Sequence, residues 1–158
     1  MAVKPIPDGY HSITPYLIVH DAAKALDFYK KALGAQEMFR MPMPNGRIAH
    51  AEVRIGDSMV MLADEFPDMG VRSAKAYGGT PVGLCLYVED VDARFQQAVA
   101  AGATVERPVQ DQFYGDRSGT VVDPFGHKWT ISTHKEDLTP EEMHRRSEEF
   151  KKTQCGGG

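Results

Sequence analysis

Apolar and polar positions along this chain follow two rhythms, and the same succession of rhythms occurs twice. Residues 14 to 35 read TPYLIVHDAAKALDFYKKALGA, and residues 83 to 103 read GLCLYVEDVDARFQQAVAAGA. Each begins with a short branched and aromatic run that predicts a strand, Tyr16 to Val19 in the first and Leu84 to Val88 in the second. An Asp follows in each, Asp21 and Asp90, whose carboxylate can accept from the free N–H groups of a helix start. In the first helix Leu26, Tyr29 and Leu33 recur at helical spacing and predict one buried face; Phe95 and Val99 play that part in the second. Gly34 and Gly102 close the helices. Self-similarity of this kind marks a duplicated supersecondary unit.

Each helix leads into a meander. Gln36 to Met41 is followed by Pro44-Asn45-Gly46, a hairpin signal. Ile48 to Ile55 then alternates: Ala49, Ala51, Val53 and Ile55 on one face, Ile48, His50, Glu52 and Arg54 on the other. Gly56-Asp57 turns the chain into Met59 to Leu62. In the second unit Thr104 to Pro108, Ser118 to Val122 and His127 to Thr133 repeat the plan, with Asp123-Pro124-Phe125-Gly126 as the last turn. The expectation is an α+β chain of two tandem β-α-β-β-β modules, 10–62 and 83–133, forming one domain over 1–134. The linker 63–81, rich in Gly, Asp and Pro, is long enough to be a crossover or a lid. Thr139-Pro140-Glu141-Glu142 then opens a third helix with a cap, a Pro at the first position and a capping box. Residues 135–158 are thus read as a helix with a thin apolar stripe of Met143 and Phe150, ending in a flexible tail.

Composition changes this picture little. The 158 residues carry a net charge of −4, with 42% apolar and 25% charged positions, ordinary for a soluble globular protein. Arg145-Arg146 and Lys151-Lys152 sit among acidic neighbours, so no nucleic-acid footprint is expected. No apolar run reaches the ~18 residues of a bilayer span, and the opening MAVKPIPDGYHS lacks the apolar core of a secretion signal. A cytoplasmic location is the expectation. Cys85 and Cys155 make no disulfide framework; Cys85 lies in a strand expected to be buried, where it reads as a small hydrophobe.

Candidate chemistry comes from strand parity. His50 and Glu52 project from the same face of one strand and can ligate a metal, move protons, or hydrogen-bond each other. Tyr16, Cys85 and Tyr87 share the parity of Thr14 and Gly83, and Tyr faces with hydroxyl tips suit a flat ligand of mixed polarity. In Phe113-Tyr114-Gly115-Asp116-Arg117, Tyr114 adds an aromatic ring and Arg117 a planar fork for an anion. Equally, Asp116 and Arg117 can brace the loop. His127 and Trp129 fall on the helix-facing side, which makes Trp129 core. Phosphate loops, G-x-G-x-x-G and nucleophile elbows are missing from the chain.

With its Asp-capped helices and its Asp-Pro-x-Gly turn, the paired pattern resembles the vicinal oxygen chelate superfamily, which holds glyoxalase I, bleomycin-resistance proteins and extradiol dioxygenases. The phrases ITPYLIV (13–19), RIAHAEVRIGD (47–57) and YGDRSGTVVDPFGHKW (114–129) are similar to its glyoxalase-like, PhnB-like branch. The resemblance covers residues 10 to 134. It implies an open, cupped mixed β-sheet with helices outside and a ligand cavity between the modules. It also implies a homodimer, with the 63–81 linker permitting exchange of modules between chains. Metal-dependent members carry ligands at the positions of Thr14, Val60, Gly83 and Thr130, none of which is His, Asp or Glu. The expected function is therefore small-molecule binding in the cavity with no cofactor, using Tyr16, His50, Glu52, Cys85, Tyr87, Tyr114 and Arg117. The alternative is a lyase, isomerase or dioxygenase with Zn, Ni, Mn or Fe held by His50 and Glu52.

Overall fold

The computed structural model describes residues 2–155; of the TQCGGG tail expected to be flexible, 153–155 continue the last helix and 156–158 lie outside the described residues. The duplicated plan holds. The first module runs β1 (Tyr16–Val19), α1 (Ala22–Leu33), β2 (Gln36–Pro42), β3 (Ile48–Ile55) and β4 (Ser58–Asp64). The second runs β5 (Gly83–Tyr87), α2 (Val91–Ala101), β6 (Thr104–Asp111), β7 (Asp116–Val122) and β8 (Lys128–His134), followed by α3 (Pro140–Cys155). The strands form two four-stranded mixed sheets in the same order, β1-β4-β3-β2 and β5-β8-β7-β6. In each, the first strand pairs parallel with the last and the remaining pairs are antiparallel.

Local signals explain the elements. Asp21 Oδ1 accepts from Lys24 N at 3.1 Å and Asp90 Oδ1 from Ala93 N at 3.0 Å, so both carboxylates cap as expected. Gly34 stops α1 in the left-handed conformation, φ 66°, and Arg94 of α2 lies so close that a Cβ there would meet its guanidinium at 2.9 Å. Asp64, buried at the end of β4, ties the first module together by accepting from Ala22 N and Ile48 N. At α3, Thr139 Oγ1 accepts from Glu142 N, but Glu142 turns its carboxylate to Arg145 and Arg146, so the capping box is only half made.

α1 and α2 each cover one face of their own sheet and also pack on each other. The core is continuous between modules: Tyr29 of α1 meets Trp129 and Phe125, with ring centroids 5.6 and 6.2 Å apart. Its polar pin is Asp123. Oδ2 accepts from Tyr29 Oη at 2.7 Å and Trp129 Nε1 at 2.9 Å, and Oδ1 from Phe125 N and His127 N. His127 Nε2 donates back to Ile18 O at 3.1 Å. Among the described residues, no strand of one sheet pairs with a strand of the other.

Several placements differ from expectation. Val99 is 37% exposed while Val91 and Ala98 join Phe95 in the core, because α2 turns its buried stripe one residue earlier. Ile48, assigned to the face of His50, is 1% exposed: a register irregularity between Met41 and Pro42 of the neighbouring strand interrupts the alternation there. Cys85 is exposed, since β5 is an edge strand with an open face. The 63–81 linker holds a Phe66–Val71 bridge and two single 3-10 turns, Pro67–Met69 and Lys75–Tyr77.

Candidate functional site

Pleating decides which side chains reach the open face of the first sheet. Register places Tyr16, Met61, Glu52 and Phe39 side by side across β1, β4, β3 and β2. His50, two residues before Glu52, stands on the same face. Three of these side chains form a chain of hydrogen bonds: Tyr16 Oη to His50 Nδ1 at 2.7 Å, and His50 Nε2 to Glu52 Oε1 at 3.1 Å. The adjacent Tyr10 hydroxyl and the His50 ring outweigh burial and hold Glu52 below the usual carboxylate range. Tyr10 Oη itself is shielded and has no partner at hydrogen-bonding geometry; burial and the Glu52 charge push its pKa up to about 12. Burial, then Glu52, also raises Tyr16.

The bonding partners fix the proton pattern for a neutral His50 ring. An ionised carboxylate can only accept, so His50 Nε2 donates to Glu52. In a neutral ring Nδ1 is then the acceptor, and Tyr16 donates to it. Both ring nitrogens are thereby engaged, and a metal at His50 would have to break one of these bonds. Among the described residues no three His, Cys, Asp or Glu side chains gather around a point.

The open face of the second sheet is richer in hydroxyls. Cys85, Thr130, Thr120 and Arg107 form one row, and Tyr87, Ser132, Ser118 and Gln110 the next. Thr120 and Thr130 hydrogen-bond at 2.9 Å. Asp116, 8% exposed, is the hub: Oδ2 accepts from Tyr87 Oη at 2.8 Å and Ser132 Oγ at 3.3 Å, and Oδ1 faces His134 Nδ1 at 2.7 Å. His134 Nε2 reaches Asp137 at 2.9 Å. Burial works to raise Asp116, but the bonds from His134 and Tyr87 prevail and its pKa is lowered. Asp116 in turn pushes Tyr87 up to about 12. The sequence reading left out Ser132 and His134 and gave Asp116 only a bracing role. Parity held the signal, since Ser132 and His134 follow Thr130 at steps of two. Cys85 lies beside this hub; partial burial of its thiol, then the Asp116 charge, raise its pKa, opposite to what a nucleophile needs.

Arg117 is a correction of placement. It points to the other side of β7, where Asp92 of α2 takes its fork at 2.8 and 2.9 Å and Asp111 adds 3.2 Å. A one-residue step from Asp116 reverses the face. Val60 is likewise turned to the core, 5% exposed and opposite Val53; Met61 holds the open-face position in the first sheet that Thr130 holds in the second. Across the positions at which metal-dependent relatives carry ligands, the open faces thus hold two threonines, a methionine and a glycine, which supplies no side-chain donor. Such a set does not fit a divalent ion that prefers imidazole and carboxylate.

The expected residues fall in separate places. Glu52 lines a cavity of about 490 Å3 with Tyr10, Thr14 and Met61, under the N-terminal arm. Tyr114 lines one of about 340 Å3 with Thr120, Thr130 and Phe150 of α3. Tyr16 borders a third, an open cleft of about 450 Å3, lined also by Arg72 and Tyr77 of the linker and by His127. All three lie in the size range of small-molecule sites. Tyr16, His50 and Glu52 are brought together; Tyr87 belongs to the other open face, and Arg117 to neither.

Comparison with known proteins gives these faces a context. Residues 9–131 match the Glyoxalase/Bleomycin resistance protein/Dioxygenase superfamily. An uncharacterized protein of Mycobacterium bovis, Mb0911c, is 47% identical over 135 residues, covering 84% of this chain and 89% of its own. The crystal structure of TioX from Micromonospora sp. ML1 superposes with a TM-score of 0.62 at 29% identity, over 78% of this chain and 98% of that one. TnmS3, an antibiotic binding protein from Streptomyces sp. CB03234, gives a TM-score of 0.60 at 25% identity, over 85% and 99%.

Proposed function

The chain belongs to the Glyoxalase/Bleomycin resistance protein/Dioxygenase superfamily, and from that premise we propose that it binds a small organic molecule on its open sheet faces without the metal of the metal-dependent members. The observation that carries this reading is the donor set: where a metal centre would need imidazole or carboxylate, the open faces present Thr14, Met61, Gly83 and Thr130. What they offer is hydrogen-bonding and aromatic surface, Tyr16 at 48% and Tyr87 at 60% exposure among it. The likeness to TnmS3, described as an antibiotic binding protein, supports a binding role.

The binding form is a homodimer. Among the described residues β1 and β5 are edge strands with no partner strand on their outer side, although Ile18 O of β1 accepts from Ala74 N and His127 Nε2, and a second copy covers such edges without new structure. Among the described residues no helix is long and apolar enough to cross a membrane. The reading places the protein in the cytoplasm with neither nucleic acid nor membrane as partner.

The test is native mass spectrometry of the purified protein together with elemental analysis. A retained organic ligand on a metal-free dimer is the expected outcome. Stoichiometric, tightly held Zn, Ni, Mn or Fe would sink the metal-free reading and return the enzyme alternative. Sedimentation as a monomer at micromolar concentration would remove the dimer.

A further inference from the structure

The Tyr16–His50–Glu52 chain has a direction, and that direction specifies what its outer end can recognise. With the His50 ring neutral, Glu52 takes the proton of Nε2, Nδ1 takes the proton of Tyr16, and Tyr16 Oη is left with lone pairs and no free proton. Tyr16 remains half exposed and borders a cleft, so a ligand in that cleft is within reach of its side chain. A ligand carbonyl or ether finds no donor there. A ligand hydroxyl finds an acceptor made stronger by the two bonds behind it.

The surface beside Tyr16 is flat and aromatic. The cleft of about 450 Å3 that it borders is walled on the linker side by Tyr77, 66% exposed, with the Arg72 guanidinium 5.0 Å over its ring. Ile18 and Ala74 supply apolar lining. Rings meeting rings and a cation are the contacts that aromatic ligands make.

We propose that this cleft takes a hydroxylated aromatic ligand, of the phenol or naphthol class, whose O–H donates to Tyr16 Oη while its ring lies against the tyrosine surface. The proposal rests on the small-molecule-binding reading and narrows it to one ligand class. His50 and Glu52 are positioning residues in it: they hold Tyr16 as an acceptor and do not touch the ligand.

Calorimetric titration of the intact protein with 2-naphthol and with 2-methoxynaphthalene tests it. The two probes share the ring system, and the ether is the more apolar, so hydrophobic burial alone favours the ether. The expected result is naphthol binding about three- to tenfold tighter, the worth of one hydrogen bond. Tyr16→Phe should erase that preference and leave the ether's affinity unchanged. His50→Leu frees the Tyr16 proton to turn outward, so the preference should shift toward the ether even though the Tyr16 hydroxyl is intact; circular dichroism checks that each variant is folded. Equal affinities in the wild-type protein, or a preference that survives Tyr16→Phe, overturn the proposal. So does absence of binding by both probes at millimolar concentration. In each of those cases a retained ligand in the native mass spectrum would still uphold the wider binding reading.

Discussion

Asp123→Asn exchanges one carboxylate oxygen for an NH2 at the residue that pins the two modules together. The native side chain is 3% exposed and accepts four hydrogen bonds, two at each oxygen. Asparagine keeps two of those acceptor positions and turns the other two into donors. In one orientation its NH2 faces Tyr29 Oη and Trp129 Nε1; in the other it faces Phe125 N and His127 N. In the first the Tyr29 hydroxyl can turn to accept from the NH2, so only Trp129 Nε1 loses its acceptor; in the second both backbone N–H groups lose theirs. At about 1–3 kcal/mol for each unsatisfied buried group, the first orientation is the cheaper and the substitution costs about 1–3 kcal/mol. For a chain of this size that is a fall in Tm on the order of 5 °C. Tyr29→Phe removes one donor and leaves the other three in place, so it should cost about 1–2 kcal/mol. Urea unfolding at neutral pH, followed by Trp129 fluorescence and by circular dichroism, measures both. If Asp123→Asn unfolds at the wild-type midpoint, the carboxylate is not what couples the modules, and the reasoning fails.

Gly119→Ala should destabilise by about 1–3 kcal/mol, because a Cβ there would lie 2.7 Å from the Phe95 ring and 2.9 Å from the backbone N of Val109; an unchanged urea midpoint would show that α2 can move aside. Trp129→Ala should cost about 3–5 kcal/mol as a large core truncation, whereas His50→Ala on the open face should cost on the order of 1 kcal/mol or less. Equal losses of stability would place His50 in the core. His134 should titrate above its ordinary value, because Asp116, then Asp137, accept from its ring. A raised folded pKa means that the stabilisation is fully present below the unfolded value of about 6.5 and is lost as pH rises through the folded value. NMR titration of the ring checks this, and Asp116→Asn should bring the value back down; a wild-type His134 titrating at or below ~6.5 would contradict the Asp116 contact.

What the sequence determined by itself is what neighbouring residues decide among themselves. Asp21 and Asp90 as caps, Gly34 and Gly102 as stops, and the alternation from Ala49 to Ile55 depend on separations of a few residues, where periods of 3.6 and 2 are a direct consequence of backbone geometry. The repeat was legible for the same reason, and so was the pairing of His50 with Glu52. Tertiary structure alone decided which faces meet. Nothing local joins Tyr29 to Asp123, 94 positions away, or Asp116 to Tyr87 across 29. Faces are relative quantities: one irregular step hides Ile48, a one-residue slip exchanges Val60 for Met61, and β5 exposes Cys85 because it ends up at a sheet edge. Arg117 had the chemistry of an anion-binding group and shares its single charge between Asp92 and Asp111, since the pleat turned it toward α2. Periodicity assigns a side chain to one side of its own element; which element covers that side is settled only when the hydrophobic faces of both modules are buried together.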